Sequence, residues 1–259
     1  MSKEVQGIRL KDNEHRLKAR LVQRSVHVGE LYCFDWVGST MDAAFALDGP
    51  VDRTVIVAHE QKQGRGRWGR PWSSEPGGLY TSLILTDYDP DIPYSMLASH
   101  ALLRTFQGLG VGARLKWVND VLCGKNRKIA GVLTEERGGT SVIGMGVNVN
   151  NREFPSDLRG HATSLFLESG KEVDIIDLLC SILHTLLPMV DRAHSGDIEE
   201  LLANWEEEAN LEGHMVKLTG DYGDLFGMVR GINRKSGALL LWVDNEIREV
   251  YEGSLFYLD

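Results

Sequence analysis

Three glycines and three arginines are interleaved in residues 64–70 of this 259-residue chain, in the order GRGRWGR. Glycine lets the main chain approach a ligand closely, and arginine offers a planar charged fork that suits carboxylate and phosphate groups. Several such forks in one flexible segment favour a ligand with more than one negative group, such as a carboxylate that meets a phosphate. A solvated basic loop is the alternative, and Trp68 could either stack on a ligand ring or simply pack.

The same segment contains the spacing GxGxxG, which is the fingerprint of dinucleotide-binding loops. That fingerprint requires a helix to begin directly after the glycines, so that the helix N-terminus can hold the pyrophosphate. Two prolines, two serines and two more glycines follow here instead, and the chain contains no GxxxxGK[ST] phosphate loop. We therefore interpret residues 61–78 as a loop that becomes ordered when substrate arrives.

Two lysines further along the chain could meet the same negative groups. Lys116 ends a short run before a turn at Asn119 and Asp120, and Lys128 lies on an otherwise apolar strand beside small residues. Asn-Asp is common in ordinary turns, and a lysine on an apolar strand is either an edge residue or points into a polar pocket. The next strand carries small or amide side chains that could admit a ligand or merely pack tightly: Gly144, Gly146 and Asn148.

Runs of β-branched and apolar residues predict the strands that would position these groups. The predicted strands cover residues 31–36, 53–59, 79–86, 114–117 and 141–148, with a hairpin of residues 121–122 and 128–135. Helices are predicted at residues 41–47, 93–109, 174–190 and 198–209, with Ser39 or Thr40 capping the first and Asp174 the third. Residues 1–30 are polar and charged and predict one short helix at most.

From residue 213 onward the pattern changes to four short apolar runs separated by glycine, aspartate and asparagine. Strands this short must close or pack together to be stable, so the pattern predicts a small barrel-like all-β unit. The predicted boundary lies near residue 212. One larger and one smaller folded unit is a common arrangement for a chain of this length.

Composition disfavours several classes of protein. The net charge is −9, which is not the basic excess expected of a nucleic-acid binder. The three cysteines, Cys33, Cys123 and Cys180, are far apart, and no HExxH or HxxxH spacing occurs, which argues against a disulfide framework and a zinc site. Without a signal peptide or a run of 18 apolar residues, the sequence predicts a soluble cytoplasmic protein with buried thiols.

Five motifs follow one another along the chain: STM, EQKQGRGRWGR, KWVND, KIAGVL and GMGVNVN. In this order and spacing, residues from about 31 to 210 resemble the catalytic domain of biotin protein ligases, and the final β unit resembles the SH3-like domain of that family. The resemblance implies an α+β fold, with a mixed sheet flanked by helices, related to class II aminoacyl-tRNA synthetases, and a small C-terminal SH3-like β-barrel. It implies a short N-terminal extension (residues 1–30), a catalytic domain that binds biotin and ATP (31–211) and the SH3-like domain (212–259).

The resemblance also implies an activity. Biotin and ATP, with Mg²⁺, would form biotinyl-5′-AMP and pyrophosphate, and biotin would then pass to one lysine of a biotin carboxyl carrier domain. Family members without a DNA-binding domain are often dimers, so we expect a homodimer. Because the resemblance does not include the DNA-binding domain, we expect no contact with DNA and no repressor role. We also expect no contact with membranes. The run SVIGMGV, residues 141–147, could form either a dimer edge or part of the core.

The roles of single residues follow from the resemblance, position by position. The catalytic groups would be Lys128, Arg65 and Arg67. Biotin would contact these three residues and also Ser39, Thr40, Met41, Gln61 and Gly66. ATP and the adenylate would contact Arg67, Arg70, Trp72, Lys116, Asn119, Asp120, Gly131, Gly146 and Asn148, and Asp120 would help to hold the metal. Two positions depart from the family pattern, because Met41 stands where asparagine is common and Val118 where proline is common.

Two other functions compete with this one. A lipoate or octanoate protein ligase would share the fold and the chemistry, but its loop would usually differ from the intact GRGRWGR run. A non-enzymatic protein could use the same core to bind a small acid, or the C-terminal β unit to bind nucleic acid. The lack of a basic excess and the presence of Lys128 together with the arginine run argue against both. Pyrophosphate release with biotin or with lipoate separates the two ligases, and a gel shift with duplex DNA tests for a nucleic-acid binder.

Overall fold

A seven-stranded mixed sheet forms the centre of the computed structural model, which describes residues 7–220 and 223–258. Its strands are β1 (Leu31–Val37), β2 (Val55–Gln61), β3 (Leu79–Leu85), β4 (Ala113–Lys116), β5 (Asp120–Cys123), β6 (Arg127–Arg137) and β7 (Thr140–Val147). Their order is β1-β2-β3-β7-β6-β5-β4; β1 and β2 are parallel, and the other neighbours are antiparallel. The mixed sheet predicted from the sequence is therefore confirmed. Because β7 lies between β3 and β6, the run SVIGMGV belongs to the core and not to an edge.

Helices cover the two faces of this sheet unequally. They are α1 (Lys11–Gln23), α2 (Thr40–Phe45), α3 (Tyr94–Gly108), α4 (Leu165–Ser169), α5 (Ile175–His194) and α6 (Ile198–Ala209). Side chains of α1, α3, α5 and α6 share one large buried cluster with the sheet, whereas α2 packs into a smaller cluster on the other face. The alternation of a strand explains the division, because Ile143 and Met145 of β7 belong to the large cluster and Val142 to the small one.

The helix ends agree closely with the sequence. The side chain of Asp174 accepts hydrogen bonds from the backbone N–H groups of Ile176 (2.9 Å) and Asp177 (3.1 Å), which confirms the predicted cap. Helix α5 continues one turn beyond its predicted end. Ser39 stands at the N-cap position of α2 but makes no capping hydrogen bond with its side chain. The sequence patterns did not predict the five-residue helix α4.

The role of the segment before β1, which the sequence left open, is visible from residue 7 onward. Leu17 and Leu21 of α1 are almost fully buried against α5 and β1. Just before α1, the backbone N–H of Leu10 donates to the carbonyl of Cys33 (2.7 Å), and that of Asp35 donates to the carbonyl of Ile8 (2.8 Å). The described part of this segment thus packs into the helical layer and pairs with the edge of β1.

A second sheet of five antiparallel strands follows α6. Its strands are β8 (Met215–Gly220), β9 (Gly223–Ile232), β10 (Leu239–Val243), β11 (Glu246–Val250) and β12 (Ser254–Tyr257), in the order β11-β10-β9-β8-β12. This sheet is compatible with the SH3-like unit that the sequence predicted. The sequence patterns gave four strands, and the fifth, β12, pairs with β8 through residues 254–257.

Contacts made by Trp117 and Glu206 help to attach the second sheet to the first part of the chain. The indole N–H of Trp117, just after β4, donates to the carbonyl of Gly237 (3.0 Å). Glu206 of α6 accepts a hydrogen bond from the backbone N–H of Ile232 (2.7 Å) and pairs with Arg234 (2.9 Å). Trp117 lies one residue after Lys116, so the same turn both carries a site residue and holds the second sheet.

The three cysteines are free and buried, as the sequence predicted. Burial raises the pKa of the Cys33 and Cys123 thiols to about 12 and that of Cys180 to about 11. These thiols are therefore protonated at neutral pH and poor nucleophiles. In the part of the chain that the structure describes, no helix combines the length and the apolar character that crossing a membrane requires.

His100 in α3 gives the folded state a specific sensitivity to acid. Burial, with a smaller effect of Arg104, lowers the pKa of His100 to about 4. An unfolded histidine takes up a proton near its ordinary pKa of about 6.5, whereas folded His100 stays neutral until about 4, so stability is lost as the pH falls through this window. Between pH 7 and pH 4, the free energy of unfolding should fall by about 3 kcal/mol less in His100→Gln than in wild type. Urea unfolding at several pH values measures this difference. The exposed His184→Gln on α5 is the matched control, and parallel losses in wild type and His100→Gln would contradict the assignment.

Candidate functional site

A cavity of about 370 Å³ lies on the α2 face of the central sheet, under the loop that joins β2 to β3. We call residues 62–78 the arginine loop. Every residue named from the sequence as a site residue lines this cavity, although these residues come from five separate segments of the chain. The structure therefore brings the whole predicted set together, and the role of each residue remains a prediction.

One end of the cavity carries a closed set of hydrogen bonds, and we call it the amide end. The backbone N–H and the hydroxyl of Thr40 both donate to the Gln61 carboxamide oxygen, at 2.8 and 3.1 Å. The Gln61 amide nitrogen donates to the Ser74 hydroxyl (2.9 Å), and the Ser82 hydroxyl donates to that of Thr40 (2.8 Å). These partners fix the orientation of the Gln61 amide, which is the kind of preorganisation that recognition of a compact polar group needs.

Two glycines of β7 make room for the cavity walls. A Cβ atom at Gly144 would lie 2.7 Å from Sδ of Met41, and one at Gly146 would lie 2.6 Å from the indole of Trp72. Side chains two residues apart on a strand point to the same face, so both glycines open toward the cavity. The sequence left open whether these glycines admit a ligand or allow tight packing. The structure shows tight packing against Met41 and Trp72. Met41, which is only 4% exposed, gives this wall a thioether in place of a polar group.

The other end of the cavity is cationic. Nζ of Lys128 lies 2.6 Å from Oδ1 of Asp120 and 5.0 Å from the centre of the Trp72 ring. Lys116 lies on the same side, 5.4 Å from the Phe256 ring, and burial lowers its pKa although Asp120 partly offsets this. A buried cation of this kind is stabilised by an anion, so this end suits a phosphate. Lys128 therefore points into the pocket, which was one of the two positions considered for it.

Asp120 tests whether the cavity suits a magnesium ion. Its Oδ1 atom is buried and has Lys128 as an ion-pair partner, without a well-directed hydrogen bond. Over residues 7–220 and 223–258, no group of three His, Cys, Asp or Glu residues is placed to hold a metal. Mg²⁺ is commonly bound by one or two carboxylates together with phosphate oxygens and water. The donor set therefore fits an ion that arrives with a polyphosphate, and not a metal held by protein alone.

The two amides near the cationic end hold the backbone. The Asn148 amide donates to the carbonyl of Thr163 (2.9 Å), and the Asn119 amide donates to the carbonyl of Val132 in β6. Trp72 differs, since its indole nitrogen is buried and has no hydrogen-bond partner in the described residues. The amides thus shape the cavity through the main chain, while Trp72 presents an unused donor close to it.

The arginine loop turns back on itself at Trp68 and Gly69, which both have left-handed backbone conformations with φ of 55° and 67°. Arg67 and Arg70 pack over the Trp68 ring at 4.3 and 5.0 Å, so Trp68 packs within the loop. Arg67 also donates to the carbonyl of Gly253 (3.2 Å), and Arg70 donates to the Ser254 hydroxyl (3.3 Å). The loop is therefore joined to the start of β12 in the second sheet.

Sequence patterns missed part of the cavity wall. The second sheet and the residue before β12 contribute Gly253, Ser254, Leu255 and Phe256 to the wall. The segment after β7 contributes Phe154, Leu158, His161 and Ala162. They carry no local motif, and their contacts with the loop span more than 180 residues in two cases. Glu135 and Asp42, which bind Arg65, were also missed. A signal for Glu135 did exist, since it follows Gly131 and Leu133 at the period of a strand.

Comparison with known proteins agrees with this geometry. Residues 33–150 match the model of the biotin/lipoate A/B protein ligase family, and this range contains all the predicted site residues. The bifunctional ligase/repressor BirA of Bacillus spizizenii is 32% identical over 243 residues, covering 85% of this chain and 72% of that protein. The biotin–[acetyl-CoA-carboxylase] ligase of Paracoccus denitrificans is 30% identical over 203 residues, covering 72% of this chain and 82% of that protein.

A solved structure gives the same answer for the fold. The biotin protein ligase from Aquifex aeolicus, in complex with biotin and ATP, superposes with a TM-score of 0.80 and 28% sequence identity. The match covers 88% of this chain and 98% of that chain. The chain therefore belongs to the biotin/lipoate A/B protein ligase family and is a ligase of the biotin protein ligase type.

Proposed function

We propose that this protein uses ATP to join biotin to a lysine of a biotin carboxyl carrier domain, through biotinyl-5′-AMP. In the first step the biotin carboxylate attacks the α-phosphate of ATP, and pyrophosphate leaves. In the second step the acceptor amine attacks the carbonyl of the mixed anhydride, and AMP leaves. The carboxylate is already ionised at neutral pH, so the first step needs orientation and charge neutralisation and no general base.

The observation that carries the proposal is the division of one cavity into two chemically different ends. The amide end offers fixed donors and acceptors at Thr40 and Gln61, which suit the ureido ring of biotin. The cationic end offers Lys116 and Lys128, which suit the phosphates of ATP. A ligand that spans the cavity therefore brings its carboxyl group to the place where the charge of a phosphate can be neutralised.

The arginine loop supports the second half of the proposal. A mixed anhydride must be protected from water until the acceptor lysine arrives. The loop covers the cavity, and Arg67 and Arg70 tie it to β12. Mg²⁺, which would come with ATP near Asp120, would neutralise phosphate charge.

The remaining expectations are also proposals. We propose a cytoplasmic homodimer that does not bind DNA. With β7 inside the sheet, a dimer must use another surface. Sedimentation equilibrium tests the dimer, and a gel shift with duplex DNA, with and without biotin, tests the DNA prediction.

The direct test is pyrophosphate release from purified protein with Mg·ATP, run with biotin, with lipoate and with neither. We expect a burst of about one pyrophosphate per chain with biotin alone. The expected amplitude follows from an adenylate that stays bound until an acceptor arrives. Release with lipoate alone would identify a lipoate ligase and make Met41 the first residue to examine. If the protein binds ATP but releases no pyrophosphate with biotin or with lipoate, the ligase proposal is contradicted.

A further inference from the structure

The guanidinium group of Arg65 makes four hydrogen bonds to protein oxygens. Its Nε and Nη2 atoms donate to the two carboxylate oxygens of Glu135, at 3.1 and 3.2 Å. Its Nη1 atom donates to Asp42 (2.9 Å) and to the Ser39 hydroxyl (3.2 Å). A two-pronged arginine–carboxylate pair fixes the direction of the side chain as well as its charge.

The two carboxylates lie beside the cavity and not in its wall. Arg65 lines the cavity, whereas neither Asp42 nor Glu135 does. Glu135 shares a face of β6 with Leu133, which lines the amide end, and Asp42 lies in the first turn of α2. The pair therefore holds Arg65 from the two elements that border the amide end.

Arg137 completes this cluster. It donates to Glu135 and packs over the ring of Phe45, the last residue of α2, at 4.5 Å. Two arginines and two carboxylates thus form a neutral group that joins α2, the arginine loop and β6. Burial opposes the charge of Arg65, but its hydrogen bonds with Glu135 and Asp42 raise its pKa. Arg65 is therefore charged at all physiological pH values, and its charge is already balanced by protein.

The arginines of the loop consequently have different surroundings. Arg67 and Arg70 contact β12 of the second sheet, and Arg65 is bound at the opposite end of the cavity. We infer that Glu135 and Asp42 are positioning residues that act through Arg65 to hold the arginine loop over the amide end. This inference goes beyond the proposed reaction, and only its kinetic test rests on that proposal.

Limited digestion with trypsin tests, without any substrate, whether Glu135 and Asp42 hold the arginine loop in place. Trypsin can cut the loop after Lys62, Arg65 and Arg67, whereas Pro71 protects Arg70. We expect Glu135→Gln to increase the rate of cleavage after Arg67 by about tenfold, because one charge-assisted contact is lost. Glu136→Gln is the matched control, since Glu136 is the exposed neighbour on the other face of β6. Equal cleavage in Glu135→Gln, Glu136→Gln and wild type would overturn the inference.

The kinetic test separates positioning from general damage. We expect Glu135→Gln to raise the KM for biotin in pyrophosphate release about tenfold and to change kcat less than twofold, because saturating biotin closes the loop again. Asp42→Asn should act in the same direction but less strongly, since Asp42 is half exposed and supplies one hydrogen bond. A fall in kcat without a change in KM would show that Glu135 acts on the chemical step and would overturn the inference.

A double-mutant comparison shows whether Glu135 acts through Arg65. If it does, adding Glu135→Gln to Arg65→Ala should change neither the cleavage after Arg67 nor the KM for biotin any further. Independent effects that multiply would overturn the inference. If wild type releases no pyrophosphate with biotin, the proposed function fails. Digestion of the same variants still shows whether Glu135 holds the arginine loop through Arg65.

Discussion

Replacing Lys128 with methionine should lower kcat/KM for biotin-dependent pyrophosphate release by about a thousandfold, the loss seen when a fixed charge at a developing anion is removed. Methionine keeps most of the length and the apolar stem of lysine. The change removes the cation 2.6 Å from Asp120 and leaves the carboxylate to repel incoming phosphates. Both effects act on the cationic end of the cavity. The measurement is pyrophosphate release at several concentrations of ATP and biotin.

The control for this substitution lies three residues away. Lys125 is exposed in the turn between β5 and β6, and Lys125→Met should leave kcat/KM within twofold of wild type. Adding Asp120→Asn to Lys128→Met should recover part of the activity, because it removes the repelling carboxylate. A Lys128→Met protein that folds normally and retains a tenth or more of wild-type kcat/KM would show that Lys128 does not stabilise the reacting groups.

Replacing Arg67 with alanine should release biotinyl-AMP from the protein about a hundredfold faster, the expected effect of losing a charged hydrogen bond that holds the loop closed. Arg67 donates to the carbonyl of Gly253 and packs over Trp68, so its loss removes one of the contacts that join the loop to the second sheet. Radiolabelled adenylate that remains with the protein after rapid gel filtration measures the effect. The exposed Arg159→Ala is the control. Retention by Arg67→Ala equal to that of wild type would exclude a lid role for Arg67.

The motifs of the sequence predicted the composition of the cavity because each belongs to a short segment whose ends are marked by strands and turns. The loop at residues 61–78 was recognisable since prolines and glycines exclude an α-helix there, and the structure has only a three-residue 3-10 turn at Arg67–Gly69. Asp174 marked the start of α5. The β-branched runs likewise predicted β2 and β3. These features depend on neighbours within a few residues, which is the range that a sequence pattern describes.

Features that depend on distant contacts could not be read in this way. The run SVIGMGV is apolar on both faces, so its periodicity cannot tell a central strand from an edge, and its place is set by β3 and β6 on either side. The strand β12 is only four residues long, and it forms because β8 pairs with it. The link between the arginine loop and Gly253 has no signature in either segment.

The short turn after β4 has a consequence for the engineering of chimeras. Lys116 lines the cationic end of the cavity, and the next residue, Trp117, donates a hydrogen bond to Gly237 of the second sheet. The start of β12 in that sheet contacts Arg67 and Arg70. A graft that exchanges the C-terminal sheet for that of a relative would therefore replace the partners of Arg67 and Arg70 and would also remove a contact beside Lys116. We therefore expect recombination between the two parts of the chain to give an active protein only where both sets of contacts are kept together.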